Sequence, residues 1–353
     1  MAEQKHTSYE LKQMQSLPLE IKLKMTCRRV QEWYDYWEGN VYLSYSGGKD
    51  STVLMDIIKN KCGLTDVPIV FVDTGLEFPE VRKMGRKYAN VILRPEMNFK
   101  EILKECGYPI ISKEVASTVE GANKFLRERE STKYSYYYRR LKGLGEYSNK
   151  TKETIWNTRE KQSKTPRKDR SGFNLERYKY LLDADFAISG KCCDYMKKKP
   201  CHKYEKETKR KPYVGTMASE SRYRKQGWLR TGCNAYETQK PKSQPMSFWT
   251  DQDILQYIKE NNIEIASIYG NVIQDNEGNY DTTGYKRSGC VFCTLGCHLE
   301  KEPNRFQKLK ETHPKLYDYC INGGEYNEDG IWQPNSKGLG LGHVLDFINV
   351  KYK

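Results

Sequence analysis

Residues 41–55 read VYLSYSGGKDSTVLM, an apolar run broken by Gly47 and Gly48 and followed at once by Lys49, Asp50 and the hydroxyls of Ser51 and Thr52. Glycine tolerates positive φ and leaves room for an anion against the backbone. Amides that open a helix are unpaired and lie at the positive end of its dipole, so a helix beginning here offers phosphate a row of N–H donors. Lys49 adds a cation, and Ser46, Ser51 and Thr52 add hydroxyls. Asp50 repels phosphate unless a divalent cation lies between them, which implies magnesium. The spacing fits neither G-x-x-x-x-G-K-[ST] nor G-x-G-x-x-G. Small residues also serve an ordinary tight turn from strand to helix, but the unbroken run S-G-G-K-D-S favours the anion site.

The second chemical constellation is cysteine. KCCDYMKKKP supplies Cys192 and Cys193, and SGCVFCTLGC supplies Cys290, Cys293 and Cys297. A C-x-x-C pair turns two thiolates toward one centre, and four thiolates suit either tetrahedral zinc or an iron–sulfur cube. Cys201, Cys233 and Cys297 remain alternative ligands or sulfur-carrying thiols. Lys197, Lys198, Lys199 and Lys203 follow the first pair, as a solvated run or as cations for an anionic centre. His202 and His298 read as hydrogen-bonding neighbours, and Cys27, Cys62 and Cys106 as isolated thiols.

These groups need elements to position them. Val30, Trp33, Tyr34 and Trp37 follow helical spacing and predict an N-terminal helix that ends at EGN. VYLSY reads as a buried strand, and Val53, Leu54, Ile57 and Ile58 mark one face of the next helix. PIVFVDTG and NVILRP continue the alternation, which predicts a parallel sheet covered on both faces. Thr250 caps a further helix carrying Ile254, Leu255 and Ile258. The expected organisation is an N-terminal helical segment (1–39), an α/β nucleotide-binding domain (40–240) and a helical, Cys-rich C-terminal region (241–353). Within the second, residues 113–185 read as a basic, tyrosine-rich insertion, including KFLRERESTKYSYYYRRLKG and TREKQSKTPRKDRSG. It is either a solvated excursion or a nucleic-acid surface, with cations for phosphates and rings for bases.

Across 353 residues, 60 Lys and Arg face 46 Asp and Glu, a formal net charge of +14 that favours polyanionic partners. No apolar stretch approaches the ~20 residues that span a bilayer, and MAEQKHTSYELKQMQ lacks the apolar centre of a signal peptide. The expected location is the cytoplasm, where eleven cysteines point to metal, redox or core roles before disulfides.

SGGKDS at 46–51 resembles the pyrophosphate-binding loop of ATP pyrophosphatases, which split ATP between its α and β phosphates to activate an acceptor as an adenylate. FVDTGLEFPE (71–80), ISKE (111–114) and GTMASESRYR (215–224) resemble the phosphoadenosine phosphosulfate (PAPS) reductase branch of that superfamily. The resemblance implies a doubly wound, Rossmann-like α/β sheet of the adenine nucleotide alpha hydrolase type, with a nucleotide across the ends of its first strands. It implies Ser46, Gly47, Gly48, Lys49, Asp50 and Ser51 as the pyrophosphate loop, with Lys49 and Asp50 catalytic. Asp73, Thr74 and Gly75 become the nucleotide-side strand end, and Glu220, Ser221 and Arg224 face the same cleft, with Met217 where the family often has arginine. A Cys-Cys pair before a distant C-x-x-C resembles the [4Fe–4S] site of assimilatory adenylylsulfate reductases, implying Cys192, Cys193, Cys290 and Cys293 as ligands. Zinc stays as the alternative.

Two enzymatic readings follow from the resemblance. In the first, similar to tRNA thiolation and DNA phosphorothioation proteins, ATP adenylates a tRNA or DNA acceptor and sulfur displaces the adenylate. Its sulfur comes from a donor such as a cysteine desulfurase. In the second, a cysteine thiol attacks a sulfonucleotide and sulfite leaves. Such reductases carry that thiol in an E-C-G-x-H type tail, whereas the last cysteine here is Cys320 in YDYCINGG. The intact loop and basic composition favour ATP-driven thiolation. A redox-sensing, nucleotide-binding module without turnover is the third reading, and self-association is left open.

Overall fold

The computed structural model describes residues 4–128, 132–143 and 174–353. They form two compact units, Met1–Glu96 with Met196–Val291, and Met97–Tyr195 with Phe292–Lys353.

The first unit holds a six-stranded sheet in the order β3-β2-β1-β4-β6-β5. Its strands are β1 (Val41–Tyr45), β2 (Ile69–Val72), β3 (Val91–Leu93), β4 (Lys211–Val214), β5 (Asn234–Ala235) and β6 (Lys242–Ser243). Pairing is parallel except between β5 and β6. The chain winds outward from β1 through β2 to β3, then returns to the other flank of β1 as β4. Loops at the C-terminal ends of β1 and β4 therefore diverge at a topological switch point, where open sheets of this kind leave a crevice.

The helices answer the apolar pattern. In the helix α1 (Ser8–Gln15), Thr7 forms a reciprocal capping box with Glu10. The helix α2 (Leu19–Tyr36) buries Val30 and Trp33, and α3 (Lys49–Asp56) continues into the turns Ile57–Lys61. Val53, Leu54, Ile57 and Ile58 are wholly buried against the sheet, as their spacing predicts. Helix α4 (Pro79–Tyr88) follows β2 with proline in its first turn. Thr250 caps the helix Asp251–Glu260 in a capping box with Asp253, the cap expected from the sequence. The same Asp253 carboxylate meets the buried Lys22 ammonium at 2.7 Å, tying α2 to that helix. A buried carboxylate and ammonium persist only when paired.

The second unit is largely helical. The helix Phe99–Cys106 is capped by Asn98, and Lys113–Arg127 by Ser112. Val115, Ala116, Val119 and Ala122 on the latter are buried, so the first part of the expected basic insertion is a packed core helix, not a solvated excursion. Thr132–Leu141 follows, with the buried Arg140 bound to Glu114 at 2.5 Å. Residues 144–173, including TREKQSKTPRKDRSG, lie outside the described residues. Among the described residues, no helix is long and apolar enough to cross a membrane.

Candidate functional site

Gly47 takes φ 73°, and a Cβ there would lie 2.4 Å from the Val81 carbonyl oxygen, so only glycine lets the chain turn beneath α4. Gly48 is the N-cap of α3 and carries no side-chain cap, which leaves the first-turn amides directed outward. Its Cα is ringed by hydroxyls: a Cβ there would lie 3.2 Å from Tyr269 Oη, 3.3 Å from Ser46 Oγ and 3.4 Å from Ser288 Oγ. Ser51 Oγ donates to the Gly48 carbonyl at 2.9 Å and lies 3.0 Å from Ser46 Oγ, which braces the corner. Across the switch point, a Cβ on Gly215 would meet Ser51 Cα at 3.1 Å, so the strand end after β4 is pressed against this turn.

Lys49 is buried, with Nζ 2.6 Å from Asp50 Oδ1 and 3.4 Å from Asp251 Oδ1. Desolvation pulls its pKa down, but Asp50, then Asp251 and Tyr269, win and hold it above the ordinary lysine value. Lys49 is therefore a fixed cation. Tyr269 Oη accepts from the Lys49 amide at 3.4 Å and donates to Ser288 Oγ at 2.5 Å. Arg287 reaches Asp251 at 3.4 Å. Asp251, Tyr269, Arg287 and Ser288 were not singled out from the sequence, because each is an isolated polar residue far from the glycine corner.

At the end of β2, Asp73 is fully enclosed and accepts from Arg82 Nε at 2.7 Å and Arg86 Nε at 2.8 Å. Desolvation raises its pKa, but the two guanidiniums prevail and hold it below the usual carboxylate range. The carboxylate is thus occupied by protein cations and orders the strand end. Thr74 Oγ1 donates to Glu77 at 2.6 Å and accepts from the Leu76 amide at 3.1 Å, while Gly75 adopts φ 73° with open space about it.

Ser221 caps the helix Arg222–Thr231 by accepting from the Arg224 amide at 3.2 Å. Glu220 binds the Met217 amide at 2.7 Å and the Arg224 guanidinium. Burial lowers the Arg224 pKa, as does the Arg287 cation, while Asp50 raises it. Arg224 thus shares its field with the loop. Met217 is wholly buried and its amide is taken by Glu220, so it offers an anion no donor.

Cys192 Sγ and Cys193 Sγ lie 4.0 Å apart in the second unit, which also contains Cys293, whereas Cys290 belongs to the first. Among the described residues, no three His, Cys, Asp or Glu side chains form a group that could hold a metal ion. The alternative thiols sit in packed surroundings. Cys233 is buried and accepts from Ser247 Oγ at 3.3 Å, and burial raises its pKa. Cys297 donates to the Thr294 carbonyl at 3.0 Å, and burial pushes it up to about 12. Cys201, near Tyr42 and Ser44 of β1, is pushed up to about 11 by burial and by Glu205. His202 lies between Glu205 and Lys240, as a hydrogen-bonding neighbour.

A helix N-terminus, a fixed ammonium, three hydroxyls and two half-exposed carboxylates converge in the first unit. Together they suit a polyphosphate, with the carboxylates supplying the hard oxygen donors that magnesium takes.

Comparison with known proteins gives one family model, two curated relatives and one solved structure. A family model described as phosphoadenosine phosphosulfate reductase domain matches residues 40–165 and 145–297. The uncharacterized protein MJ0973 of Methanocaldococcus jannaschii is 24% identical over 319 residues, covering 86% of this chain and 54% of its own length. The uncharacterized protein MJ0066 of the same organism is 38% identical over 85 residues, covering 23% of this chain and 18% of its own. The chain thus spans about half the length of the first curated relative and less of the second. Among solved structures, phosphoadenylyl-sulfate reductase from Candida auris in its phosphate complex aligns with TM-score 0.36 and 15% identity, over 75% of this chain and 98% of that one.

Proposed function

The chain belongs to the phosphoadenosine phosphosulfate reductase domain family, and from that premise we propose that it is an ATP pyrophosphatase that adenylates a nucleic-acid acceptor for sulfur transfer. The observation that carries this reading is Lys49, kept protonated in the first turn of α3, whose N-cap glycine supplies no side-chain cap. A pyrophosphate leaving group gains charge as it departs, and fixed donors aimed at it are the usual large electrostatic contribution to such a step.

In this reaction a deprotonated acceptor oxygen attacks the α-phosphorus of ATP. The bond to the bridging α–β oxygen breaks, and pyrophosphate leaves with the electron pair. Lys49 and the α3 amides receive that charge, Ser46 and Ser51 hold the corner, and Arg224 balances the α-phosphate. Asp50 and Asp251 would hold magnesium, which would supply positive charge to phosphate oxygens. Persulfide sulfur from a donor such as a cysteine desulfurase then attacks the activated acceptor, AMP leaves with the bonding electron pair, and a thiol reductant cleaves the resulting acceptor–donor disulfide, becoming oxidised to disulfide as the thiolated acceptor is freed.

Thiolates of Cys192, Cys193, Cys290 and Cys293 would hold a [4Fe–4S] cluster, or zinc in the alternative. No preformed group of three ligands supports either among the described residues. Iron and sulfide analysis of anaerobically purified protein decides between them. The cytoplasm is the compartment where reduced thiols and ATP coexist.

The test is product analysis with labelled ATP, magnesium and a sulfur donor, with bulk tRNA or DNA added in turn. AMP and pyrophosphate in equal amounts, stimulated by one nucleic acid, support the reading and identify the acceptor class. No ATP cleavage, with sulfite released from adenylyl sulfate or PAPS in the presence of a thiol, overturns it in favour of a reductase.

A further inference from the structure

Beside the loop, the first unit contains a second cavity of about 750 Å³ that the reaction above does not use. Its walls come from four segments: the N-terminal stretch at Lys5, the end of α2 at Tyr36, the helix Arg222–Thr231, and the chain from Asn234 to Gln244 that carries β5 and β6. Five cations line it, Lys5, Arg224, Arg230, Lys240 and Lys242, against one carboxylate, Glu237.

Three of these cations, Lys5, Arg230 and Lys242, have no ion-pair partner among the described residues, although this chain pairs many of its surface charges. Crowding like charges into a concave wall without counterions is unfavourable unless an anion binds there. Lys242 registers that crowding: desolvation, then Arg224 and Arg230, lower its pKa.

Aromatic rings accompany the cations. Tyr223 is 78% exposed and Tyr36 58% exposed, both at the wall of the cavity. Tyr36 packs against Tyr236 with ring centroids 4.4 Å apart, which fixes a platform in place of a loose side chain. Exposed rings interleaved with unpaired cations are what stacked bases and a phosphate backbone need.

We propose that this cavity binds a single-stranded segment of nucleic acid, with phosphates on Lys5, Arg230 and Lys242 and bases against Tyr223 and Tyr36. A mononucleotide presents one ring and one cluster of phosphates, whereas these cations and rings are distributed over four chain segments. A duplex keeps its base faces inside the stack and cannot use the tyrosines. Arg224 lines this cavity and also feels Asp50 of the loop, so the two sites share one guanidinium's field. The bound strand's role as the acceptor rests on the adenylating reading; the binding does not.

The experiment is fluorescence anisotropy of the full chain with labelled mixed-sequence DNA and RNA of about 12 nucleotides, single-stranded and duplex, between about 50 and 200 mM salt. The double variant Arg230→Glu, Lys242→Glu is expected to bind single strands at least tenfold more weakly, with a log–log salt slope shallower by about 1.4. Tyr223→Ala should weaken single-strand binding roughly 5- to 150-fold. All substituted positions are exposed, and the melting temperature of each variant checks folding. Unchanged affinity and slope in both variants overturn the proposal, as does equal binding of duplex. Competitive displacement of the strand by AMP assigns the cavity to a mononucleotide and overturns it too. If these variants lose strand binding while the unmodified protein never cleaves ATP, the strand site stands and the adenylating function fails.

Discussion

Lys49 Nζ lies 3.4 Å from the Asp251 carboxylate, joining the glycine corner to a helix start 202 residues further along the chain. Asp50, 2.6 Å from the same ammonium, completes a bridge in which one buried cation holds two carboxylates. Removing the cation leaves the carboxylates facing each other and the leaving group without its fixed charge. Lys49→Met is expected to lower the rate of pyrophosphate release by about 10²- to 10³-fold, measured by coupled pyrophosphate detection. Asp251→Asn, which keeps the shape and removes one charge, should have a smaller effect.

Gly47 and Gly75 share φ 73° but not their surroundings. A Cβ on Gly47 collides with the Val81 backbone, whereas nothing lies within 4 Å of one on Gly75. Gly75→Ala should therefore cost only the left-handed strain, about 1–2 kcal/mol. Gly47→Ala must also move the loop, so its denaturation midpoint falls further and ATP cleavage is lost.

Most of the first unit is legible in the sequence, for reasons visible in its residues. VYLSY is β1 as read, because a run with no charged residue can only be buried, and Thr250 caps its helix because a hydroxyl before an acidic first turn has few better uses. The role of Asp73 is different. Family resemblance assigns it to the nucleotide, while its carboxylate is taken up by Arg82 and Arg86, one helical turn apart on α4. Asp251, Tyr269, Arg287 and Ser288 had no local signature, since only the folded chain brings them to Gly48 and Lys49. The cysteines show the opposite limit. Spacing makes Cys233 and Cys297 look available, whereas their burial, which raises the pKa of both thiols, is something spacing does not record.

Asp73 links stability to acid. Its folded pKa lies below the unfolded value, so the stabilisation is complete above about pH 3.9 and disappears as pH falls through the folded value. Asp73→Asn should lose about 2 kcal/mol near neutrality. Its urea midpoint should also fall less steeply than that of the unmodified protein as pH drops below 4.

The Lys22–Asp253 pair is buried on both sides. Lys22→Met or Asp253→Ala alone strands the partner charge and should cost about 3–5 kcal/mol. Lys22→Met with Asp253→Leu should recover much of that, short of the Thr250 cap that Asp253 also completes. A double-mutant cycle in urea measures the coupling.

Cys297, with its pKa raised to about 12, should be under roughly 10⁻⁴ thiolate at pH 8. Iodoacetamide followed by peptide mapping should leave it unmodified in the native protein and alkylate it in denaturant.

The decisive measurement is cleavage of ATP labelled at the α-phosphate in the presence of magnesium, the nucleic-acid acceptor and a sulfur donor, compared between the unmodified protein and Lys49→Met. Labelled AMP matched one to one by pyrophosphate, with both lost in the variant, is the expected result. Labelled ADP with free phosphate, or AMP formation that survives loss of Lys49, would contradict it.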